Sequence, residues 1–517
     1  VWLVLPPPQK ASGWTSHGIV LTVASCLVLM TDTLYVLQNG PTYGLVLFAV
    51  ALALSARLCW SRKLRIAACC LVGLVVLAAR LVVHPGSGSG NSNSNCSAIH
   101  FGHPADDISI DEGLYYDSRN ALVSRIAERW RPEDRVYDAE HGATAWMPTG
   151  DSRTGLPFIL HHHPPEDRPI WNRVFLEVQE EQKDPVSEFV ALDVSFPKTS
   201  KGHDPTKPIY LVFHGLGGGS MEEYIRDLAI RRNAEGSTVV VMIARGLMDT
   251  PIRGLRIFHG ARTSDAHASA SALRTVLGPD QLLVGAGYSM GAIVLSNYVA
   301  SYGSDCALDA AVAVSGGLDM RYQEHAYRTQ RLWQPMLAGT LRDEFLLGKF
   351  GHRVKDRLSP SDYLRVLRAS HITEIDRYAV VPFNGFDDLD HYYREMSALG
   401  DIPHDPFTGK PNDTNEKQLG KIHTVSIPFL VVHALDDPLV TWRATVHNEG
   451  FMSPQNLSRS GSGHLMLLLT KAGGHVGWPL GMWPTRHKWK WMSDIVMSFA
   501  RSVEAVKRET TQQRQHL

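Results

Sequence analysis

LLVGAGYSMGAIVLSNYVA, residues 282–300, joins an apolar run to a Gly-Tyr-Ser-Met-Gly knot and then to a small-residue helical pattern. The run Leu282–Ala286 reads as a buried strand and Ala292–Ala300 as a helix. Between them a sharp turn would lift the hydroxyl of Ser289 above a sheet, as in a nucleophile elbow. Gly287 and Gly291 flank it because larger side chains there would collide with the adjoining strand and helix backbones. The pattern G-x-S-x-G is also what an ordinary glycine-rich turn looks like. A base, an acid and an anion-stabilising loop elsewhere in the chain decide between the two.

Outward from this stretch the chain alternates. Apolar, β-rich runs occur at EFVALDVSF (188–196), IYLVFHG (209–215), STVVVMIARG (237–246), LDAAVAVSGG (308–317), FLVVHALDD (429–437) and HLMLLLTKAGGH (464–475). Several are continuous rather than alternating, as in parallel strands covered on both faces. Helical patterns lie between them at 221–236, at 264–278 and after Ser289. This order predicts an α/β protein with a doubly wound, mostly parallel sheet, whose ligands sit at the carboxyl ends of strands. Residues 98–185 show no comparable pattern. Within them His161, His162 and His163 precede two prolines and have no second ligand cluster nearby, which predicts surface histidines on an extended loop rather than a metal site.

A serine hydroxyl needs a base to attack at neutral pH. His475 follows an apolar run and two glycines, whereas His464 and His487 lack such a turn and read as surface residues. The base needs an acid to orient it. FLVVHALDDPLV ends a buried-type strand with Asp436 and Asp437 before Pro438. Asp437, directly before the proline turn, is the preferred acid and Asp436 the fallback. The expected oxyanion donors are the amides of Met290, after the nucleophile, and Leu216, in the loop VFHGLGGGS. That loop is not a Walker phosphate loop, because no Lys-Ser/Thr closes it.

With Ser289, Asp437 and His475 in that order, the chain resembles the α/β-hydrolase superfamily, and within it AB-hydrolase family 4, a group of membrane-anchored lipases and medium-chain ester synthases/esterases. The resemblance runs from about residue 150 to 500 and is carried by LVFHGLGGGSMEEYIRDL, ARGLMDTPIRGLRIFHGARTSD, GYSMGAIVLSNYVA, ITEIDRYAVVPFNGFDDLDHYYREMS, IPFLVVHALDDPLV and GGHVGW. It implies an α/β-hydrolase fold with Ser289, Asp437 and His475 at the triad positions. It also implies a helical cap insertion over about 318–427 that shapes an acyl pocket. Phe383, Phe386, Tyr392 and Tyr393 are candidates to line that pocket or to fill the core. Ala292 stands where the family usually has a second glycine. His371 to Asp376 matches a loose H-x4-D acyltransferase pattern; His162 to Asp167 matches it equally, so the pattern carries little weight.

The N-terminal region differs in composition. Apolar stretches run from Gly18 to Leu37, Tyr43 to Trp60 and Leu64 to Val83. The third is long enough to cross a hydrocarbon core of about 30 Å. The first carries Asp32 near its middle and the second is short. Two or three transmembrane helices are therefore expected within residues 1–84, against the family's usual single anchor. A Gly/Ser/Asn linker follows at 85–97, then the hydrolase domain at 98–507 and a C-terminal tail at 508–517. Arg62, Lys63 and Arg65 suit a cytoplasmic loop. That would put the catalytic domain on the lumenal or extracellular side of the endoplasmic reticulum or another endomembrane. Sequons at Asn95, Asn412 and Asn456 would suit that side. The opening residue, Val1, is not Met, which leaves room for an upstream start.

Across 517 residues the net charge is −1 and there are six cysteines, four of them in the apolar region. This argues against a nucleic-acid partner, a disulfide framework or a zinc-type spacing. The expected partners are a lipid or acyl-ester substrate and the bilayer, with no cofactor and no metal. Oligomeric state is not legible. The expected activity is serine-dependent cleavage of carboxylic esters of lipids: monoacylglycerol, related glycerolipids or medium-chain acyl esters. Acyl transfer to an alcohol would use the same triad. A catalytically silent membrane receptor or scaffold is the reading from another class.

Overall fold

The computed structural model describes residues 108–515 apart from 138–143, 145, 179–186, 199–201, 255–256, 279, 326–328, 330–331, 344–347, 349–350 and 401–419. The expected membrane spans, the linker and the sequons at Asn95 and Asn412 lie outside the described residues. No helix among the described residues is long and apolar enough to cross a membrane.

The strands, in chain order, are β1 (Gly113–Tyr115), β2 (Asn172–Val178), β3 (Glu188–Ser195), β4 (Ile209–Phe213), β5 (Thr238–Ile243), β6 (Leu283–Tyr288), β7 (Ala310–Val314), β8 (Phe429–Ala434) and β9 (Leu465–Thr470). They form one sheet of spatial order β1-β9-β8-β7-β6-β4-β5-β3-β2. From β9 to β5 every pairing is parallel. The outer pairings β1–β9, β5–β3 and β3–β2 are antiparallel. All seven apolar runs became strands, and β4 to β9 are buried along their whole length. Burial on both faces is the reason these runs do not alternate: each Val or Leu so covered contributes about 1.5–3 kcal/mol.

The main helices are α1 (Ala121–Arg129), α2 (Gly150–Leu160), α3 (Glu223–Ala234), α4 (Thr263–Val276), α5 (Met290–Tyr302), α6 (Gln334–Arg342), α7 (Pro360–Arg368), α8 (Leu389–Met396) and α9 (Lys490–Gln515). Crossovers between parallel strands are right-handed. The step β4-α3-β5 runs one way along the sheet and β6-α5-β7 the other, so α3 and α5 cover opposite faces. The strand order therefore reverses between β4 and β6. At such a switch point the loops after two neighbouring strands diverge and leave a crevice. The loop after β4 begins at His214 and the turn after β6 is Ser289.

α9 locks α1 onto the body. Trp130 Nε1 donates to Ser498 Oγ at 2.9 Å, and the Trp130 ring meets Phe499 edge-on. α9 continues to Gln515, and Arg125 pairs with its Glu509 at 2.8 Å. The expected tail at 508 is instead the last part of this helix, because its inner face still has α1 to pack against. Between β7 and β8 the chain leaves the sheet for the cap, which includes α6, α7, a continuous helical run over 372–384 and α8. The insertion lies between Val314 at the end of β7 and Phe429 at the start of β8.

Candidate active site

Ser289 sits between β6 and α5 with φ 54° and ψ −120°. A left-handed backbone at a non-glycine residue costs on the order of 1–3 kcal/mol and persists only where the surroundings over-determine it. Here they do. Ser289 N donates to Val314 O on the neighbouring strand at 3.0 Å, and Ser289 O accepts from Ala292 N and Ile293 N at the start of α5. A Cβ on Gly287 would stand 2.5 Å from Gly291 O, and one on Gly291 would stand 2.2 Å from Phe213 O. Neither neighbour can yield, since both are backbone, so the two glycines of the motif are steric requirements of the turn.

His475 Nε2 lies 2.8 Å from Ser289 Oγ, and its Nδ1 lies 2.8 Å from Asp437 Oδ2. Asp437 is fully buried. Its other oxygen accepts from Leu439 N at 2.8 Å and Val440 N at 2.9 Å, across the Pro438 turn. Thus Asp437 is held by the backbone that follows it and has one oxygen left for the imidazole. With Nδ1–H donating to Asp437, Nε2 carries the lone pair that faces the serine hydroxyl.

Asp436 has a different task. Its Oδ1 accepts from Gly474 N and its Oδ2 from Arg153 Nη1, both at 2.8 Å. It ties the turn before His475 to α2. The same helix supplies Thr154, whose Oγ1 donates to Gly150 O at 2.6 Å and accepts from His475 N at 2.7 Å. From the other side, Val476 N donates to Ser315 Oγ at 3.0 Å. Thr154, Arg153 and Ser315 were not legible as site residues. They come from a region without periodicity or from a strand end without a motif, and they reach His475 only after long excursions of chain.

The triple histidine is not a surface cluster. His162 is exposed, but His161 is fully buried and His163 nearly so. The His163 ring bridges Glu223 at 2.8 Å and Asp227 at 3.1 Å on α3. Pro164 is extended, but Pro165 opens a short exposed 3-10 turn, Pro165–Asp167, and it is His163, just before them, that lies against α3 rather than in solvent. His487 is exposed as expected and His464 is half-buried.

Met290 is the first residue of α5, so its amide is one of the helix donors with no carbonyl a turn earlier to take it. Leu216 follows the Gly215 turn, in which Gly218 N donates to Gly215 O at 3.1 Å. His214 pins this loop: its Nδ1 donates to Gly215 O at 2.7 Å and its Nε2 accepts from Ala244 N at 3.2 Å. Only a neutral imidazole does both, and burial holds its pKa below the usual histidine value.

Leu216, Ser289, Met290 and His475 line one cavity, roofed by the cap. Its wall is mainly apolar and includes Phe158, Ile293, Trp333, Leu337 and Val440. Of the four cap aromatics, Tyr393 lines the cavity, while Phe383, Phe386 and Tyr392 pack in two satellite cores of the cap. The two H-x4-D matches also part here. His371 and Asp376 both line the cavity, whereas His162 and Asp167 are exposed at the surface.

A model of the α/β-hydrolase fold family matches residues 208–470, just over half of the 517-residue chain. The chain belongs to the α/β-hydrolase fold family. Among curated relatives of this chain, the monoacylglycerol lipase of Saccharomyces cerevisiae is 25% identical over 53% of this chain and 56% of its own length. The putative esterase YheT of Escherichia coli is 27% identical over 60% of this chain and 78% of its own. The phospholipase ABHD3 of Mus musculus is 27% identical over 54% and 60%. The match thus spans less than two-thirds of the length of the yeast and mouse proteins.

Proposed function

We propose that the chain is a serine hydrolase that cleaves carboxylic esters of lipids, monoacylglycerols or related acyl esters, through an acyl-enzyme on Ser289. The observation that carries this reading is the continuous chain Ser289 Oγ–His475–Asp437, both links 2.8 Å, beneath an apolar cavity. The relatives named lipase, esterase and phospholipase support the ester class.

In this mechanism His475 Nε2 takes the hydroxyl proton as Ser289 Oγ attacks the ester carbonyl carbon. The tetrahedral oxyanion is met by the amides of Met290 and Leu216, and Asp437 stabilises the imidazolium. His475 then passes the proton to the departing alkoxide oxygen, leaving the acyl group on Ser289. Water, deprotonated by His475, attacks the acyl carbon and releases the free acid. An alcohol in place of that water would give a new ester at the same site. No step requires a metal or organic cofactor. The three apolar stretches before residue 84 support membrane anchoring, with the catalytic domain on the lumenal or extracellular side of an endomembrane.

The test is labelling of the full chain in detergent with a fluorophosphonate probe, alongside release of fatty acid from a monoacylglycerol. Wild type is expected to label and to turn over, while Ser289→Ala does neither. Equal labelling of both would overturn the reading, and so would a wild type that neither labels nor turns over.

A further inference from the structure

The cavity above Ser289 carries a second group of polar side chains, and all of it belongs to the cap. Gln334, Thr373 and Asp376 line the same cavity as Ser289 and His475, among mostly apolar neighbours. Thr373 and Asp376 are three residues apart on the helical run 372–384, hence on one face of it. Gln334, on α6, accepts from Ile372 N through its Oε1 at 2.8 Å. Its side-chain amide N–H groups are the part left to donate elsewhere.

Asp376 is the unusual member. It is 6% exposed in a wall of hydrocarbon, a costly place for a carboxyl. Its side chain neither caps a helix nor pairs with a cation among the described contacts. The bond it does show is from Tyr393 OH to Oδ2 at 3.1 Å. The adjacent Tyr392 is committed elsewhere, its hydroxyl accepting from Gly260 N at 3.0 Å. Asp376 also opens a π-helical turn, Asp376–Val380. Pro382 has no N–H for the carbonyl of Tyr378 and its ring crowds that oxygen, so the helix widens just before it. Such turns concentrate at functional sites. Burial pushes the Asp376 carboxyl up to about 7, so both of its forms are present near neutrality and it can accept or donate.

We propose that Asp376, with Thr373 and Gln334, forms a subsite for the hydroxyl groups of a polyol ester, so that the enzyme selects a monoacyl glycerol over a plain alkyl ester of the same acid. The three groups offer an acceptor, a hydroxyl and an amide donor, which suits two neighbouring hydroxyls, each both donor and acceptor. A trimethylammonium head group would use none of these directional bonds. The proposal rests on the esterase reading of Ser289.

The test compares kcat/KM of the full chain in detergent for decanoyl glycerol and ethyl decanoate, in wild type, Asp376→Asn and Thr373→Val. A site built to bond a hydroxyl loses about 10–100-fold when one charge-assisted bond goes. The glycerol-to-ethyl ratio should favour the glycerol ester in wild type and fall by about that factor in Asp376→Asn. In Thr373→Val it should fall by about 3–10-fold. Fluorophosphonate labelling of Ser289 in each variant reports that the site is folded. If Asp376→Asn does not fold, Thr373→Val decides. A wild type without preference for the glycerol ester, or variants that lose both substrates in equal proportion, would overturn the subsite while leaving the esterase reading intact. A wild type inert to both esters and to the probe would overturn the esterase reading, and the subsite with it.

Discussion

Two adjacent carboxylates, Asp436 and Asp437, show how a single residue step divides chemistry from support. Both are buried, and both lie at the end of β8 before Pro438. Asp437 faces His475 Nδ1 while Asp436 holds Gly474 N and Arg153. Removing the charge from the first alters the histidine tautomer and the stabilisation of its imidazolium. Removing it from the second loosens the turn that carries the histidine. Asp437→Asn should therefore lower kcat by about 10³–10⁴-fold with the fold retained. Asp436→Asn should cost less in kcat and more in thermal stability. Steady-state kinetics with melting curves for both variants check this, and the reverse pattern would reassign the acid. The preference for Asp437 was legible in the sequence from its place directly before the proline. Why Asp436 is also a carboxylate was not, because its partner Arg153 lies 283 positions earlier.

At the scale of elements, α2 and the segment after it do more than cover the sheet. α2 supplies Thr154 and Arg153 to the His475 turn, and its far end is fastened by His163. Burial opposes the charge on His163, but the bonds to Asp227 and Glu223 outweigh it and raise its pKa above the usual value. Glu223 is also desolvated, yet the ring and amide of His163 and the guanidinium of Arg226 hold it down at about 2. Asp227 further accepts from Ser493 Oγ on α9 at 2.7 Å, so the His163–Asp227 pair links the segment after α2 to α3 and α9. A histidine with a raised folded pKa contributes stability that is complete below its unfolded pKa of about 6.5 and is lost as pH rises through the folded value. The melting temperature of wild type should thus exceed that of His163→Gln most below about pH 6.5, with the gap narrowing as pH rises. A gap independent of pH would show that packing, not charge, holds the junction. The sequence placed these three histidines on a surface loop because the prolines signal extended chain. Extended chain laid against a helix bearing two carboxylates is a buried one.

For the whole molecule, the position of the site follows from topology. β4 and β6 are neighbours whose connections run in opposite directions, so the loops bearing Leu216 and Ser289 open onto the same crevice. β8 and β9 bring Asp437 and His475 to the same edge. The cap then closes over these loops. The proposed cleavage of lipid esters would gain from membrane anchoring, and residues 18–83 contain apolar stretches of spanning length. Most of the protein is expected to stay in the membrane pellet after alkaline carbonate washing of cell membranes and to move to the soluble fraction only with detergent. Release by carbonate alone would remove the spanning interpretation. The sequence by itself determined the strands and the elbow, and it picked out Ser289, His475 and Asp437, whose side chains the structure joins in one hydrogen-bonded chain. Each of these depends on a local pattern: apolar runs of strand length, glycines where a Cβ cannot fit, charged residues just past strand ends. The tertiary structure alone decided the buttress from α2, the burial of His161 and His163, and the polar patch around Asp376. Those contacts join segments far apart in the chain, and their residues carry no local signature, because the partner that gives each its role is met only when the sheet and cap are assembled.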